Sequence, residues 1–213
     1  LVFSSTCAVY GIPASVPVDE TAEYAPISPY GRTKWIVETM MTECARAYGM
    51  KCISLRYFNA AGADPDGEIG EWHDPETHLI PIVLNAAADS TFLLSINGTD
   101  YETPDGTAIR DYIHVTDLAD AHVRAFEFAK TSSGHNVFNL GTGHGASVRD
   151  VIGAVENVTD RKVNSVKAAR RECDPDCLVA NAQKAEDVLG WKPQYPDLET
   201  IVAHAWVYFS RQK

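Results

Sequence analysis

The sequence is short of positive charge and has no long apolar run, and each shortage excludes a class of protein. Its 18 Lys and Arg residues face 29 Asp and Glu residues, which gives a formal net charge of −11. Such a charge argues against nucleic acid and anionic membrane surfaces as partners. No apolar stretch reaches the roughly 18 residues that a membrane-spanning helix requires. We therefore expect a soluble globular protein whose partners include neither nucleic acid nor a membrane.

Cysteine is scarce, and no pattern of metal ligands is present. The five cysteines are odd in number and scattered: Cys7, Cys44, Cys52, Cys173 and Cys177. This pattern favours reduced thiols in a cytoplasmic protein over a disulfide framework. Cys173 and Cys177 are spaced C-x3-C without a second pair of Cys or His nearby, so no metal is predicted there. A cluster in one loop is interpreted as solvated polar side chains: His73, Asp74, Glu76 and His78.

Strand-like and helix-like segments alternate along the 213 residues, which predicts an α/β fold. The segment SPYGRTKWIVETMMTECARAYG is expected to form a long helix, because Ser28 can cap it, Pro29 suits its first turn and Gly49 can end it. Its apolar stripe is broad enough to pack against a sheet and against a second surface. The run KCISLRYFN follows as a strand and completes a strand–helix–strand unit.

Beyond Asn59 a long polar loop, AAGADPDGEIGEWHDPETH, precedes shorter elements. Helices are expected at 79–88, 116–130, after Ser147, at 183–189 and from Leu198. Strands are expected near 92–96, 110–115, 163–168 and in the segment NVFNLGTG. The glycine run GTGHG lacks the G-x-G-x-x-G spacing and precedes a helix, so we interpret it as a turn beside a nucleotide site.

Tyr30 and Lys34 stand four residues apart at the start of the long helix, so both side chains leave the same face. A tyrosine that acts as a base near neutral pH needs its pKa of about 10 lowered, and a nearby ammonium group lowers it by favouring the phenolate. Thr6 ends the preceding strand and can hydrogen-bond a reacting oxygen. The spacing by itself is also that of an ordinary surface pair, so the order of strand, hydroxyl, pair and second strand carries the interpretation.

That order resembles the extended short-chain dehydrogenase/reductase family, in which Ser/Thr, Tyr and Lys form the catalytic group. Within it, the chain is most similar to the UDP-glucose (UDP-galactose) 4-epimerases, and the similarity covers nearly the whole length. The motifs that carry it, in order, are FSSTCAVYG, SPYGRTKWIVE, LRYFNAAGA, HLIP, DGTAIRDYIHVTDLADAH, FNLGTG and ARRECDPD.

The resemblance implies NAD-dependent epimerisation at C4 of a UDP-sugar through a 4-keto intermediate. It assigns catalysis to Thr6, Tyr30 and Lys34, which would also contact NAD together with Tyr57 and Phe58. Arg110 and Arg171 would bind the diphosphate, and Asp174 the ribose hydroxyls. The further substrate contacts it implies are Asn59, His78, Leu79, Ser95, Asn97 and Leu178.

Several alternatives stay open at this point. Dehydratases of nucleotide sugars need an acid and a base directly after the threonine, where this chain has Cys7 and Ala8. Decarboxylating relatives place a glutamate in the same neighbourhood. Leu178 stands where some relatives carry a bulky tyrosine, so N-acetylated and pentose sugars remain possible substrates. A non-catalytic nucleotide-sugar-binding relative is the remaining alternative, although such proteins usually lose the tyrosine or the lysine.

The resemblance also implies a division of the chain and a homodimer. Residues 1–60 would be the remainder of an NAD-binding Rossmann domain, a doubly wound parallel sheet. Residues 61–213 would mainly form a smaller α/β domain that binds the UDP-sugar, with segments that return to the first sheet. The glycine-rich turn that opens the cofactor half in this family has no counterpart in the sequence. We therefore expect the isolated chain to bind NAD poorly, and expect the helix of Tyr30 and Lys34 to pair in a homodimer.

Overall fold

The computed structural model describes residues 1–172 and 174–212, and in these residues it has nine strands and six α-helices. The strands are β1 (Val2–Thr6), β2 (Cys52–Tyr57), β3 (Asn59–Ala61), β4 (Leu94–Asn97), β5 (Ile109–His114), β6 (His135–Leu140), β7 (Gly145–Ser147), β8 (Ser165–Ala168) and β9 (Cys177–Leu178). The helices are α1 (Pro29–Tyr48), α2 (Leu79–Ala88), α3 (Val115–Thr131), α4 (Val148–Thr159), α5 (Gln183–Leu189) and α6 (Leu198–Gln212). None of these helices is both long and apolar enough to cross a bilayer.

The main sheet has the order β1-β2-β6, and its strands are all parallel. In its register Thr6 lies beside Tyr57, and Tyr57 lies beside Leu140. The carboxyl ends of the three strands therefore meet at one edge, where open parallel sheets bind their ligands. This arrangement confirms the predicted α/β fold, and the return of β6 to the first sheet confirms that later segments of the chain rejoin it.

Helices α1 and α3 cover opposite faces of this sheet, because successive strand residues point to opposite sides. Cys52 packs with Met41 and Ala45 of α1, whereas Ile53 and Leu55 pack with the apolar side of α3. Both faces of β2 are consequently buried, as its continuous apolar run predicts.

Helix α1 begins and ends where the sequence predicts. The Ser28 hydroxyl accepts a hydrogen bond of 3.0 Å from the Gly31 amide, and Gly49 adopts the left-handed conformation at φ 66°. The broad apolar stripe divides in two. Met41 and its row face the sheet, whereas Ile36 and Met40 of the other row are 54% and 60% exposed.

A second assembly is built from short strands and three helices. One sheet has the order β3-β5-β7, with β9 also paired to β5, and β4 pairs with β8 in a separate ribbon. Helices α2, α4 and α6 enclose its apolar core. Ser147 and Asp150 form a reciprocal capping box at the start of α4, which confirms Ser147 as the cap. The division of the chain at residue 60 stays a prediction.

The structure adds elements that the sequence did not predict and moves one boundary. Strands β3, β7 and β9 are two or three residues long, too short for any apolar period to reveal. Helix α3 begins at Val115 rather than at Thr116 or Asp117, because the His114 side chain accepts a hydrogen bond from the Thr116 amide. The Asp117 carboxylate instead accepts from the backbone of Gln194, at 2.9 Å.

A buried ion pair links the elements of the main sheet. Arg56 on β2 and Glu38 on α1 are 0% and 2% exposed and make hydrogen bonds of 2.6 and 3.0 Å. Glu38 also accepts from the Ser5 hydroxyl on β1. Arg56 donates to the Tyr10 hydroxyl at 2.7 Å, which in turn donates to Asn139 on β6 at 2.7 Å. One network therefore fixes α1 against all three strands of the sheet.

Candidate active site

The main cavity of the described residues, about 790 Å³ in volume, opens between the carboxyl edge of the main sheet and the second assembly. Twelve of the fourteen side chains predicted for the site contribute to its lining. These are Thr6, Tyr30, Tyr57, Phe58, Asn59, His78, Leu79, Ser95, Asn97, Arg110, Arg171 and Asp174. They come from segments far apart in sequence, so the fold brings the predicted site together.

On the sheet side of the cavity, β1 and the start of α1 bring Thr6, Tyr30 and Lys34 together. The approach depends on Gly31, because a Cβ there would lie 2.5 Å from the Ala8 carbonyl oxygen, in the turn that follows β1. Lys34 Nζ donates to the Ser4 carbonyl at 2.8 Å and lies 5.5 Å from the centre of the Tyr30 ring. Lys34 thus stands behind Tyr30 rather than in the cavity lining.

The Tyr30 hydroxyl is not yet an effective base in this arrangement. Burial raises the pKa of Tyr30 above its ordinary value, and the side chain of Thr6 acts in the opposite direction. Tyr30 is nevertheless 53% exposed, so a ligand in the cavity can reach its hydroxyl. An additional positive charge near the ring would be needed to bring the phenolate into the neutral range.

On the opposite side of the cavity, cationic and polar groups gather between β4, β5 and the segment after β8. Arg110 forms an ion pair with Asp174 and donates to the Pro175 carbonyl at 2.7 Å. The Asn97 amide, with its oxygen turned towards Arg171, accepts from two nitrogens of that side chain at 3.2 Å. Two guanidinium groups and a carboxylate in one wall suit a phosphorylated ligand that also carries hydroxyl groups.

The glycine turn after β6 is anchored one residue away from Arg110. The Asp111 carboxylate accepts from the Thr142 and Gly143 amides at 2.8 and 3.0 Å and from the Ala180 amide at 3.1 Å. Burial raises the pKa of Asp111, while these donors lower it. The turn therefore holds β5 and β9 in place from behind the cavity.

Leu178 lies in a buried cluster behind the cavity rather than in its lining. It packs there with Phe58, Val9 and Tyr10, and its position in β9 is next to Arg110 of β5. Leu178 thus acts on the site through Phe58, and the prediction that its size sets the choice of sugar stays untested.

Sequence reasoning missed several side chains of the cavity. They are Glu71 and Thr77 from the loop before α2, Phe92 and Leu93 before β4, and Tyr208 and Phe209 from α6. The residues of α6 are about 180 positions away from Tyr30, and their helical spacing is that of ordinary core residues. Only the tertiary packing of α6 against the loop at 64–72 brings them to the cavity.

Comparisons with known proteins agree with this geometry. The model of the NAD dependent epimerase/dehydratase family matches residues 1–141. A UDP-glucose 4-epimerase of Rhizobium meliloti is 53% identical over 211 residues. The crystal structure of UDP-glucose 4-epimerase from Brucella ovis in complex with NAD is 51% identical, with a TM-score of 0.93. The UDP-glucose-4-epimerase of Stenotrophomonas maltophila, with bound NAD and formylated UDP-arabinopyranose, is 39% identical with a TM-score of 0.94.

The matches extend over nearly all of this chain but only part of each relative. The Rhizobium alignment covers 99% of the chain and 64% of the relative. The two structures cover 98% and 100% of the chain, and 64% and 65% of theirs. The chain thus spans about 64% of the length of the relative from Rhizobium.

Proposed function

The chain belongs to the NAD dependent epimerase/dehydratase family, and on that premise we propose that its protein inverts the configuration at C4 of a UDP-sugar. The observation that carries this proposal is one cavity with two chemically different walls. Thr6 and Tyr30 lie on one wall, and Arg110, Arg171 and Asp174 lie on the other. The first wall suits proton transfer at a hydroxyl, and the second suits a nucleoside diphosphate.

The NAD cofactor fits the residues at the sheet edge. The Tyr57 and Phe58 side chains follow β2 at the carboxyl edge of a parallel sheet, the position where such sheets bind dinucleotides. The Lys34 ammonium lies beside them and is available to the hydroxyls of a ribose. When bound, NAD supplies the chemistry of accepting a hydride from C4 and returning it.

The residues of this chain would then divide the work as follows. The Thr6 hydroxyl hydrogen-bonds the sugar O4, and Tyr30 removes the proton of the 4-hydroxyl group as C4 is oxidised. Tyr30 returns that proton after the 4-keto sugar has turned in the cavity and C4 is reduced on its other face. Arg110 and Arg171 hold the diphosphate throughout, so the sugar turns while the nucleotide stays in place.

The residues after Thr6 support epimerisation over dehydration. Cys7 is buried, and burial raises the pKa of its thiol to about 12. The thiol therefore stays protonated at neutral pH and cannot serve as a base, and Ala8 carries no ionisable group at all. Oxidation at C4 and its reversal need neither residue.

The test is the interconversion of UDP-galactose and UDP-glucose. We would fuse this chain after the N-terminal segment of the Rhizobium meliloti relative and supply NAD. Turnover of both sugars is the expected result. A fusion that binds UDP and NAD yet converts neither sugar would favour the non-catalytic alternative. Conversion restricted to UDP-N-acetylglucosamine or to UDP-xylose would preserve the reaction and change the sugar.

Replacing Arg171 by Leu is expected to weaken UDP binding by about 10- to 100-fold, since a charge-assisted hydrogen bond contributes about 1.5–3 kcal/mol. Calorimetric titration of the chain with UDP measures the effect. Arg170→Leu is the matched control, because Arg170 pairs with Asp100 and stacks on Tyr101 instead. Equal losses in the two variants would contradict the assignment of Arg171 to the diphosphate.

We further propose that the protein forms a homodimer through the outer face of α1. Trp35, Ile36 and Met40 leave large apolar side chains 41%, 54% and 60% exposed on this one helix. A two-fold contact would bury the same stripe on both copies. Met40→Glu is expected to convert the dimer into a monomer in light scattering. Val188→Glu is the control, since Val188 is an exposed apolar residue of α5. A wild-type chain that is monomeric at high concentration would overturn the proposal.

A reducing, cytoplasmic setting is also proposed. Among the residues that the structure describes, Cys7, Cys44, Cys52 and Cys177 are all free thiols. Free thiols persist where disulfide formation is suppressed. Cys173, and with it the predicted C-x3-C spacing, lies outside the described residues.

A further inference from the structure

Four side chains with metal-ligating atoms meet at the end of the loop before α2. They are Glu71, His73, Glu76 and His78, and one ligand atom from each lies within 4.8 Å of all the others. We propose that these four residues bind a divalent transition-metal ion of the zinc class. The sequence had suggested a polar cluster here, but with Asp74 in it. The structure brings Glu71 to the group instead, two residues before His73.

The distances fit a tetrahedral ion. His73 Nδ1 lies 3.0 Å from Glu71 Oε1 and 3.7 Å from Glu76 Oε1. His78 Nδ1 contacts the same oxygen of Glu71. A tetrahedral zinc ion with bonds of about 2.0–2.1 Å separates neighbouring ligand atoms by about 3.3 Å. Only small side-chain movements are therefore needed to admit the ion.

The chemistry of the ligands selects the metal. Two imidazole nitrogens and two carboxylate oxygens suit Zn²⁺ or Co²⁺, whereas Mg²⁺ and Ca²⁺ prefer sets made of oxygen alone. Two carboxylates also neutralise a divalent ion when both imidazoles are neutral. In a chain with a formal net charge of −11, relieving the repulsion between two adjacent carboxylates is favourable.

The carboxylates are held before any ion arrives. The Glu71 and Glu76 side chains are 19% and 13% exposed, while the imidazoles remain open to solvent. Glu76 Oε1 accepts from the Thr77 and His78 amides at 2.7 and 2.8 Å. Supporting hydrogen bonds of this kind orient ligands and strengthen metal sites.

Helix α6 anchors the loop that carries the four ligands. Arg211 donates to the Asp66 and Gly67 carbonyls at 2.6 and 2.9 Å. The Gly70 backbone packs on the Tyr208 ring so closely that a Cβ there would lie 2.3 Å away. The loop is thus tied to a helix on one side and continues into α2 on the other, which limits the movement of the ligands between.

The test is a titration of the metal-stripped chain with Zn²⁺ and Co²⁺. We expect one equivalent of Zn²⁺ to bind with a Kd of about 1 µM or tighter, and expect excess Mg²⁺ not to displace it. His73→Ala and His78→Ala should each weaken binding by about 10- to 100-fold. Both imidazoles are exposed, so these variants should fold, and circular dichroism checks that they do.

Two controls separate this site from other ligands of the chain. His144→Ala removes an exposed histidine from a distant loop and should leave the Kd unchanged. The Co²⁺ complex should show the visible bands of nitrogen and oxygen ligation without the thiolate-to-metal charge transfer that cysteine would add. Absence of stoichiometric binding, a thiolate band, or an equal Kd in wild type and His73→Ala would each overturn the proposal. The histidines and glutamates would then form ion pairs only.

Discussion

Tyr30→Phe is expected to lower kcat by about 10²- to 10⁴-fold, the range for loss of a positioned general base, while UDP binds as before. The variant removes one oxygen from the wall that bears Thr6 and leaves Arg110 and Arg171 of the opposite wall untouched. Proton transfer and nucleotide binding are thereby separated in one substitution. Turnover of UDP-galactose by the fused chain and calorimetric titration with UDP measure the two effects.

Tyr48→Phe provides the matched control for this substitution. Tyr48 is the last residue of the same helix and is 79% exposed, far from the cavity. It should retain full turnover. If Tyr30→Phe kept more than a tenth of the wild-type kcat, Tyr30 would not be the base, and the pairing with Lys34 would be of the ordinary surface kind.

The pH dependence should reveal the contribution of Lys34. Burial holds the pKa of Tyr30 above its usual value although Thr6 lowers it, so the phenolate that acts as base becomes more abundant as the pH rises. The acid limb of kcat/KM therefore rises with pH. Lys34→Met removes a nearby positive charge, raises the pKa of Tyr30 further, and should move that limb upward by at least about one pH unit. An unmoved limb would limit Lys34 to binding the cofactor.

The sequence predicts the proton-transfer wall better than the remainder of the site. Thr6 ends a strand and Tyr30 opens a capped helix, so local patterns place both at the same edge of a parallel sheet. The other walls depend on long-range packing. Tyr208 reaches the cavity only because α6 returns over the loop before α2, and no periodic pattern reveals such a return.

Charged residues inside the sheet were equally hidden from sequence reasoning. Arg56 stands in the strand segment KCISLRYFN, where an alternating pattern would place it on either face, and Glu38 follows Lys34 on a helix rich in exposed charges. Their burial emerges only when α1 packs on β2. A charge in a buried strand is paired or costly, so Arg56 was a signal that a partner had to exist, although its identity required the structure.

Glu38→Ala is expected to lower the free energy of unfolding by about 3–5 kcal/mol, because it leaves the buried Arg56 guanidinium without its counter-charge. Natural domains are stable by only about 5–15 kcal/mol, so the loss is a large part of the total. Urea unfolding of the chain measures it. Glu43→Ala on the same helix is the control, since Glu43 and its partner Arg46 are 56% and 78% exposed and such pairs contribute little.

Two further measurements distinguish an ion pair from simple loss of packing. The double variant Glu38→Ala with Arg56→Met should recover part of the stability, because no unpaired charge remains. The pH dependence has a definite sign as well. Burial raises the pKa of Glu38, but Arg56, Ser5 and Tyr24 outweigh it and hold the pKa below 4.5. The stabilisation is therefore present above the unfolded pKa and is lost as the pH falls through the folded value. The stability gap between wild type and Glu38→Ala should narrow in acid, and a constant gap would mean that the carboxylate charge contributes nothing.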